Sequence, residues 1–329
     1  MRYELADHEW VAIRPILPNK PRGIPRVNDR RVLNGIFWVL RSGAPWRDLP
    51  DHFGPYTTCY NRFVRWRRAG VWSRIIDALA VTHDAAIQMI DTTIVRVHQH
   101  GACIKRNKRQ SMGMSRGGLT SKIHAVVDSN GLPVRLALSP GEAHDVRLAR
   151  RLLSRLESGS TLLADRGYDA DWIRELAMKK GAWANIPPKR NRSDPICFSP
   201  YLYRARNQVE RFFNRIKQCR RVATRYDRLA ANHLAFVQLA SIRLCLRVYE
   251  SASYSSETHE LQVSGGVRMQ RTGWTPSITV SLSKVREVAM VATEPKAFWS
   301  LRPRAARDVC VGCGYRQDDL PPVLWTQTP

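Results

Sequence analysis

At residue 88 the hydrophobic pattern changes its period, from the roughly 3.6-residue spacing of helices to the two-residue alternation of strands. Upstream, Asp7 precedes Trp10, Val11, Ile13 and Ile16, and Pro18 with Pro21 ends the run. Asn28 or Asp29 can cap a second helix carrying Val32, Leu33, Ile36, Phe37, Val39 and Leu40, ended near Gly43. A third follows Gly54 and Pro55, with Thr57 or Thr58 as cap and Tyr60, Phe63, Val64 and Trp66 as its apolar side. Arg62, Arg65, Arg67 and Arg68 lie between those positions. A fourth follows Ser73. Downstream, strands are predicted at 88–97, 122–128, 134–138, 161–164 and 183–186, and helices at 145–156, 170–180 and 201–220. Ser129-Asn130-Gly131 is a hairpin signal between the second and third strands. Three strands joined as hairpins, followed by alternating helices and strands, predict an α/β fold: a mixed sheet flanked by helices, preceded by a small all-α segment.

Charge narrows the partner. The 329 residues hold 53 Lys/Arg against 28 Asp/Glu, a formal charge of +25. The first 250 residues hold 44 against 21, and residues 251–329 only 9 against 7, so the basic character belongs to the first three quarters. Such a charge favours a polyanion, most often nucleic acid, because each neutralised phosphate releases counterions. The helices at 1–85, with a basic, aromatic-laced third member, suit a helix-turn-helix-like DNA reader, and a solvated helical face explains them equally. No apolar run reaches the roughly 20 residues needed to span a bilayer. Seven scattered cysteines and no secretory start suggest a reduced, cytoplasmic protein.

Against this basic background a few carboxylates stand out. Asp91 interrupts the apolar strand Met89 to Val95, and Asp165 ends the apolar strand Leu162 to Ala164. A buried carboxylate is costly unless paired or bound to a cation, and strand ends are where ligands gather in open sheets. Two such aspartates on neighbouring strands suit a shared magnesium or manganese ion, although each taken singly reads as an ordinary strand-end acid. In the helix at 201–220, Tyr203, Arg206, Glu210 and Lys217 fall within an arc of roughly 60° at about 100° per residue. Val209, Phe212, Phe213 and Ile216 take the neighbouring arc. On spacing alone, an i,i+4 ion pair between Arg206 and Glu210 is the simpler reading. The glycine-rich basic loop from Gly101 to Gly118 lacks the ending of a phosphate-binding P-loop and reads first as a connector, second as a loop touching a phosphate backbone. His98, His100 and Cys103 lack a fourth zinc ligand at convincing spacing, and Cys310 with Cys313 lacks a second pair.

The Tyr, Arg, Glu, Lys spacing is similar to the signature of the DDE transposases of bacterial insertion sequences, the insertion sequence five family. The strings Arg41 to Pro50, Tyr56 to Phe63, Ser115 to Leu119, Lys122 to Ala125 and Ala164 to Asp169 resemble that family as well, over about residues 4–250. The resemblance implies an RNase H-like catalytic domain at 86–250 after a DNA-binding domain at 1–85. It implies that Asp91, Asp165 and Glu210 are the catalytic, metal-holding triad, with two Mg2+ or Mn2+ ions. Tyr203, Arg206 and Lys217 complete the signature, and Arg166, Arg62 and Arg65 are expected at DNA. The expected activity is binding of terminal inverted repeats, cleavage and strand transfer on double-stranded DNA, by a homo-oligomer in the bacterial cytoplasm and away from any membrane. The rivals are an inactive derivative acting as a DNA-binding repressor and an RNase H-like nuclease that cuts without joining. Residues 251–329 depart from the family and are expected to be weakly ordered and dispensable for catalysis.

Overall fold

The computed structural model describes residues 4–18, 28–79, 86–102 and 108–263. Cys103, Cys310 and Cys313 lie outside the described residues. The chain divides into two compact units, residues 1–189 with 201–251, and residues 190–200 with 252–329.

Among the described residues, the first unit opens with four α-helices. In α1 (Asp7–Ile13) the Glu9 carboxylate accepts the Ala6 N–H at 2.8 Å. In α2 (Asp29–Ser42) the Asn28 side chain accepts the N–H groups of Arg30 and Arg31. Gly43 ends α2 in the left-handed region at φ 75°, as a helix stop requires. Helix α3 (Tyr56–Arg68) is capped by Pro55 rather than by Thr57 or Thr58: proline's fixed φ suits the first turn, and its carbonyl accepts from Thr58 N at 2.9 Å. Helix α4 (Val71–Leu79) starts before Ser73, directly after Gly70 at φ 67°.

The sheet follows. Strand β1 (Ile87–Val97) pairs antiparallel with β3 (Gly118–Val127), which pairs with β2 (Gly113–Ser115) and, further along, with β4 (Pro133–Pro140). On its other side β1 pairs parallel with β5 (Thr161–Ala164), and β5 with β6 (Trp183–Asn185). The β3–β4 turn is held by Asp128 Oδ1, which accepts from Asn130 N and Leu132 N, with Gly131 at φ 74°. Between β4 and β5 the expected helix at 145–156 is broken into α5 (Ala149–Leu152) flanked by two 3₁₀ turns. Helix α6 (Asp171–Lys179) joins β5 to β6.

The expected single helix at 201–220 is also broken. It runs as α7 (Pro200–Tyr203), a 3₁₀ turn at Arg204–Arg206, and α8 (Asn207–Lys217). A short α9 (Arg220–Ala223) and β7 (Thr224–Arg225), parallel to the end of β1, lead into α10 (Ala230–Val263). Helix α10 therefore extends the backbone helix past residue 250 into the segment that departs from the family.

Period-two alternation divides the strands between two cores. Met89, Ala125, Val127 and Leu163 join the helices α1–α4 and α8–α10 on one face. Ile90, Val126, Leu162 and Ala164 join α5 and α6 on the other. The N-terminal helices thus share one continuous core with the sheet, although the sequence reads them as a separate segment. Among the described residues no helix is long and apolar enough to cross a membrane.

Candidate active site

Strand register brings the two aspartates together. Ile90 is opposite Ala164, so the next residues, Asp91 and Asp165, are neighbours at the end of β5. Alternation turns both toward the face on which α8 packs. Asp91 Oδ1 accepts the Thr92 N–H at 2.7 Å and Oδ2 accepts Arg206 Nη1 at 2.7 Å. Arg206 Nη2 donates to Glu210 Oε1 at 2.5 Å. The simple ion pair read from spacing is therefore formed, and Asp91 is drawn into it. Asp165 Oδ1 accepts the Gly167 N–H at 2.9 Å and caps the 3₁₀ turn Arg166–Tyr168.

The electrostatics follow from burial. Asp91 and Arg206 are each 17% exposed at the side chain, whereas Glu210 is 51% exposed. Burial pushes the Asp91 carboxyl above its ordinary value, the Thr92 N–H and Arg206 oppose the shift, and the charge of Asp165 adds to it. Burial works against the Arg206 charge too, but Asp91, Tyr203 and Glu210 hold its pKa above the usual value. Lys217 donates to Thr93 Oγ1 at 2.5 Å and to Ile94 O at 3.2 Å, and burial lowers its pKa. Tyr203 faces the Arg206 guanidinium at 5.8 Å.

Arg206 thus joins Asp91 to Glu210 with Tyr203 beside it, Asp165 adjoins Asp91 across the β1–β5 pairing, and Lys217 reaches β1 further along, at Thr93 and Ile94. Arg166 is exposed in the turn beside Asp165. Arg62 and Arg65 belong to α3, which packs on α2 and α4. Arg65 is on its exposed side with Tyr56, Tyr60, Asn61 and Arg68, whereas Arg62 is ion-paired with Asp29 and lies over the Trp66 ring at 5.1 Å. Among the described residues no three His, Cys, Asp or Glu side chains gather as a metal group. His98 and His100 instead stack edge to face at 4.8 Å.

Behind the aspartates runs a buried hydrogen-bond chain that sequence reasoning missed. Ser139 Oγ donates to Pro140 O at 3.3 Å and therefore accepts from His124 Nε2 at 2.7 Å. His124 Nδ1 must then accept the Thr92 hydroxyl at 3.0 Å, and Thr92 Oγ1 accepts the Tyr168 phenol at 2.9 Å. Burial pushes the His124 pKa down to about 4, which keeps the ring neutral as this chain requires. Tyr168 is pushed up by burial and stays protonated. The chain ties β1, β4 and β3 to the turn after β5, the elements that carry Asp91 and Asp165. Its signal in the sequence was a threonine inside an apolar strand, one residue after Asp91.

The chain is similar to several known proteins. Residues 5–76 match the family described as putative transposase of IS4/5 family, and residues 82–245 match the transposase DDE domain. The chain is 39% identical over 130 residues to a putative transposase for insertion sequence element IS6501 of Brucella ovis, covering 39% of this chain and all of that protein. It is 40% identical over 117 residues to an uncharacterized protein of Sinorhizobium fredii, covering 35% of this chain and 94% of that one. A transposase for insertion sequence element IS1106 of Neisseria meningitidis serogroup B is 27% identical over 157 residues, 46% of this chain and 51% of that one. The piggyBac transposase synaptic complex with hairpin DNA aligns at 13% identity and a TM-score of 0.46, over 94% of this chain and 83% of that one, a likeness that carries no argument here. With both segments matched to transposase families and a relative covered over its whole length, the chain belongs to the DDE transposases of insertion sequences.

Proposed function

We propose that the chain binds the terminal inverted repeats of its insertion sequence and catalyses metal-dependent cleavage and strand transfer, with Asp91, Asp165 and Glu210 as the catalytic acids. The observation that carries this reading is the placing of two aspartates side by side at a strand end, with Glu210 tied to Asp91 through one guanidinium. Arg206 pairs with both Asp91 and Glu210, and Asp165, beside Asp91 at the strand end, adds a third negative charge that this one guanidinium does not pair. Hard oxygen donors with uncompensated charge fit Mg2+ or Mn2+. Asp91 and Asp165 would hold the metal, joined by Glu210 once Arg206 releases it. Divalent ions bound there would activate the attacking water or 3′-hydroxyl and stabilise the leaving oxygen of an in-line displacement.

The remaining work falls to the protein. Thr92, His124 and Tyr168 fix the two aspartate-bearing elements relative to each other, since positioning dominates phosphoryl transfer. Arg206 and Lys217 present cations for the phosphates beside the scissile bond. Residues 1–85 would read the element end, with Arg65 on the exposed side of α3. Arg62, already engaged by Asp29, would set that helix face. Residues 86–250 form the catalytic part in this reading, and 251–329 have no assigned role. Cutting two ends together calls for a homo-oligomer on DNA, in the cytoplasm.

The test uses the purified full chain with duplexes carrying the inverted repeats that flank its gene, in Mg2+. Release of a 3′-hydroxyl at the repeat and its joining to a second duplex are expected. Cleavage without joining would favour a nuclease, and joining undiminished by a chelator would contradict the metal-dependent reading.

A further inference from the structure

We propose that the outer end of β1 and the β2–β3 turn form a second DNA-backbone site, in which Arg96 and Arg116 hold phosphates about five base pairs from the scissile bond. An open pocket of about 450 Å³ lies here, lined by Ile94, Arg96, Ser115, Arg116, Gly117 and Thr120. Arg96 lies opposite Thr120 in the β1–β3 ladder, and Arg116 occupies the two-residue turn between Ser115 and Gly118. Both arginines line this one cavity.

Three features set this pocket apart from an ordinary solvated face. First, among the described residues neither guanidinium pairs with a carboxylate, so two like charges line one cavity without a counterion. An anion relieves that repulsion. Second, the apolar floor is uncovered: Ile94 remains 51% exposed in mid-strand. Third, the fold does not demand glycine at 117. Its φ is not in the left-handed region, and a Cβ there would touch only Ser115 Oγ at 3.9 Å and Arg96 Nε at 4.0 Å. Close approach of a ligand to the backbone would account for it.

The occupant follows from position. Strand β5 ends at Ala164, opposite Ile90, and β7 pairs with β1 only from Arg96. Among the described residues, the β1 edge between them has no strand partner. Alternation puts Asp91 on one face of that edge and Ile94 with Arg96 on the other. A duplex lying along the edge meets both. Asp91 and Arg96 are five residues apart, roughly 16 Å at about 3.3 Å per residue. That span equals about five steps of the 3.4 Å rise of one DNA strand.

This inference rests on the functional reading above, and one titration separates the two. Binding of the full chain to an inverted-repeat duplex is measured by anisotropy across a salt series, for wild type and for R96A/R116A. Loss of two phosphate contacts lowers the slope of log K against log salt by about 1.8. R96K/R116K, which keeps the charges, is expected to restore most of it. A single methylphosphonate about five positions from the scissile phosphate should weaken wild type and leave R96A/R116A unchanged. R96Q/R116Q serves if the alanine pair fails to fold. Wild-type binding with an unchanged slope in the variant overturns the site alone. Absence of wild-type binding overturns both the site and the functional reading.

Discussion

Replacing Thr92 by valine tests the buried chain behind the aspartates. Valine keeps the branched shape but removes the hydroxyl that links His124 to Tyr168. The Tyr168 O–H and the His124 Nδ1 lone pair are then left unpaired, in residues 1% and 0% exposed. A buried group left without its partner costs about 1–3 kcal/mol, so the loss of two is about 2–6 kcal/mol. At roughly 2–4 °C per kcal/mol for a unit of this size, the melting temperature should fall by about 4–24 °C in a thermal scan. The direction of the chain makes a sharper claim. Y168F removes only a donor, leaves Thr92 still bonded to His124, and should cost about 1 kcal/mol. T92S should stay within about 1 kcal/mol of wild type. A Y168F variant less stable than T92V, or a T92V variant that melts with wild type, would refute the chain as drawn.

Three further outcomes follow. His124 is pushed down to about 4 and the fully buried His233 to about 3, from an unfolded value near 6.5. The unfolded chain takes up those protons first, so the stability these groups supply is complete above about pH 6.5 and is lost as pH falls toward 4. His124 alone accounts for roughly 3 kcal/mol, and a urea midpoint that does not change between pH 7.5 and 4.5 would contradict this. Asp91 has the opposite sign: its raised folded pKa makes the charged form a burden at neutral pH. D91N should therefore melt no lower than wild type at pH 7, and a clear drop would show that the Arg206 pair outweighs burial. Truncation after Val263 leaves every residue of the described core in place, the last of them Leu246, and should preserve the melting temperature of the first unit. A lower value would assign residues 264–329 a structural role.

Much of the fold was legible because local signals agreed with tertiary demands. The strand around Asp91, the Asp128–Leu132 turn and the apolar side of α8 each follow from period and turn chemistry that burial reinforces. The breaks at Arg204–Arg206 and on either side of α5 were not legible, since no proline or glycine interrupts either stretch. The 3₁₀ turn at 204–206 leads Arg206 to Asp91, a tertiary bond that spacing along one helix does not contain. Both aspartates could be picked out as acids in apolar strands, but their adjacency depends on parallel pairing between segments over seventy residues apart. The chain through His124 depends on cross-strand register in the same way, and Arg62 looked available to DNA only because its partner Asp29 lies on another helix.

The most direct test of the central claim is cleavage of an inverted-repeat duplex by three isosteric variants, D91N, D165N and E210Q, alongside their affinity for the uncut duplex. Each variant is expected to lose cleavage while binding the duplex within a few-fold of wild type. Wild-type cleavage by any one of the three would remove that carboxylate from the catalytic triad and contradict the account.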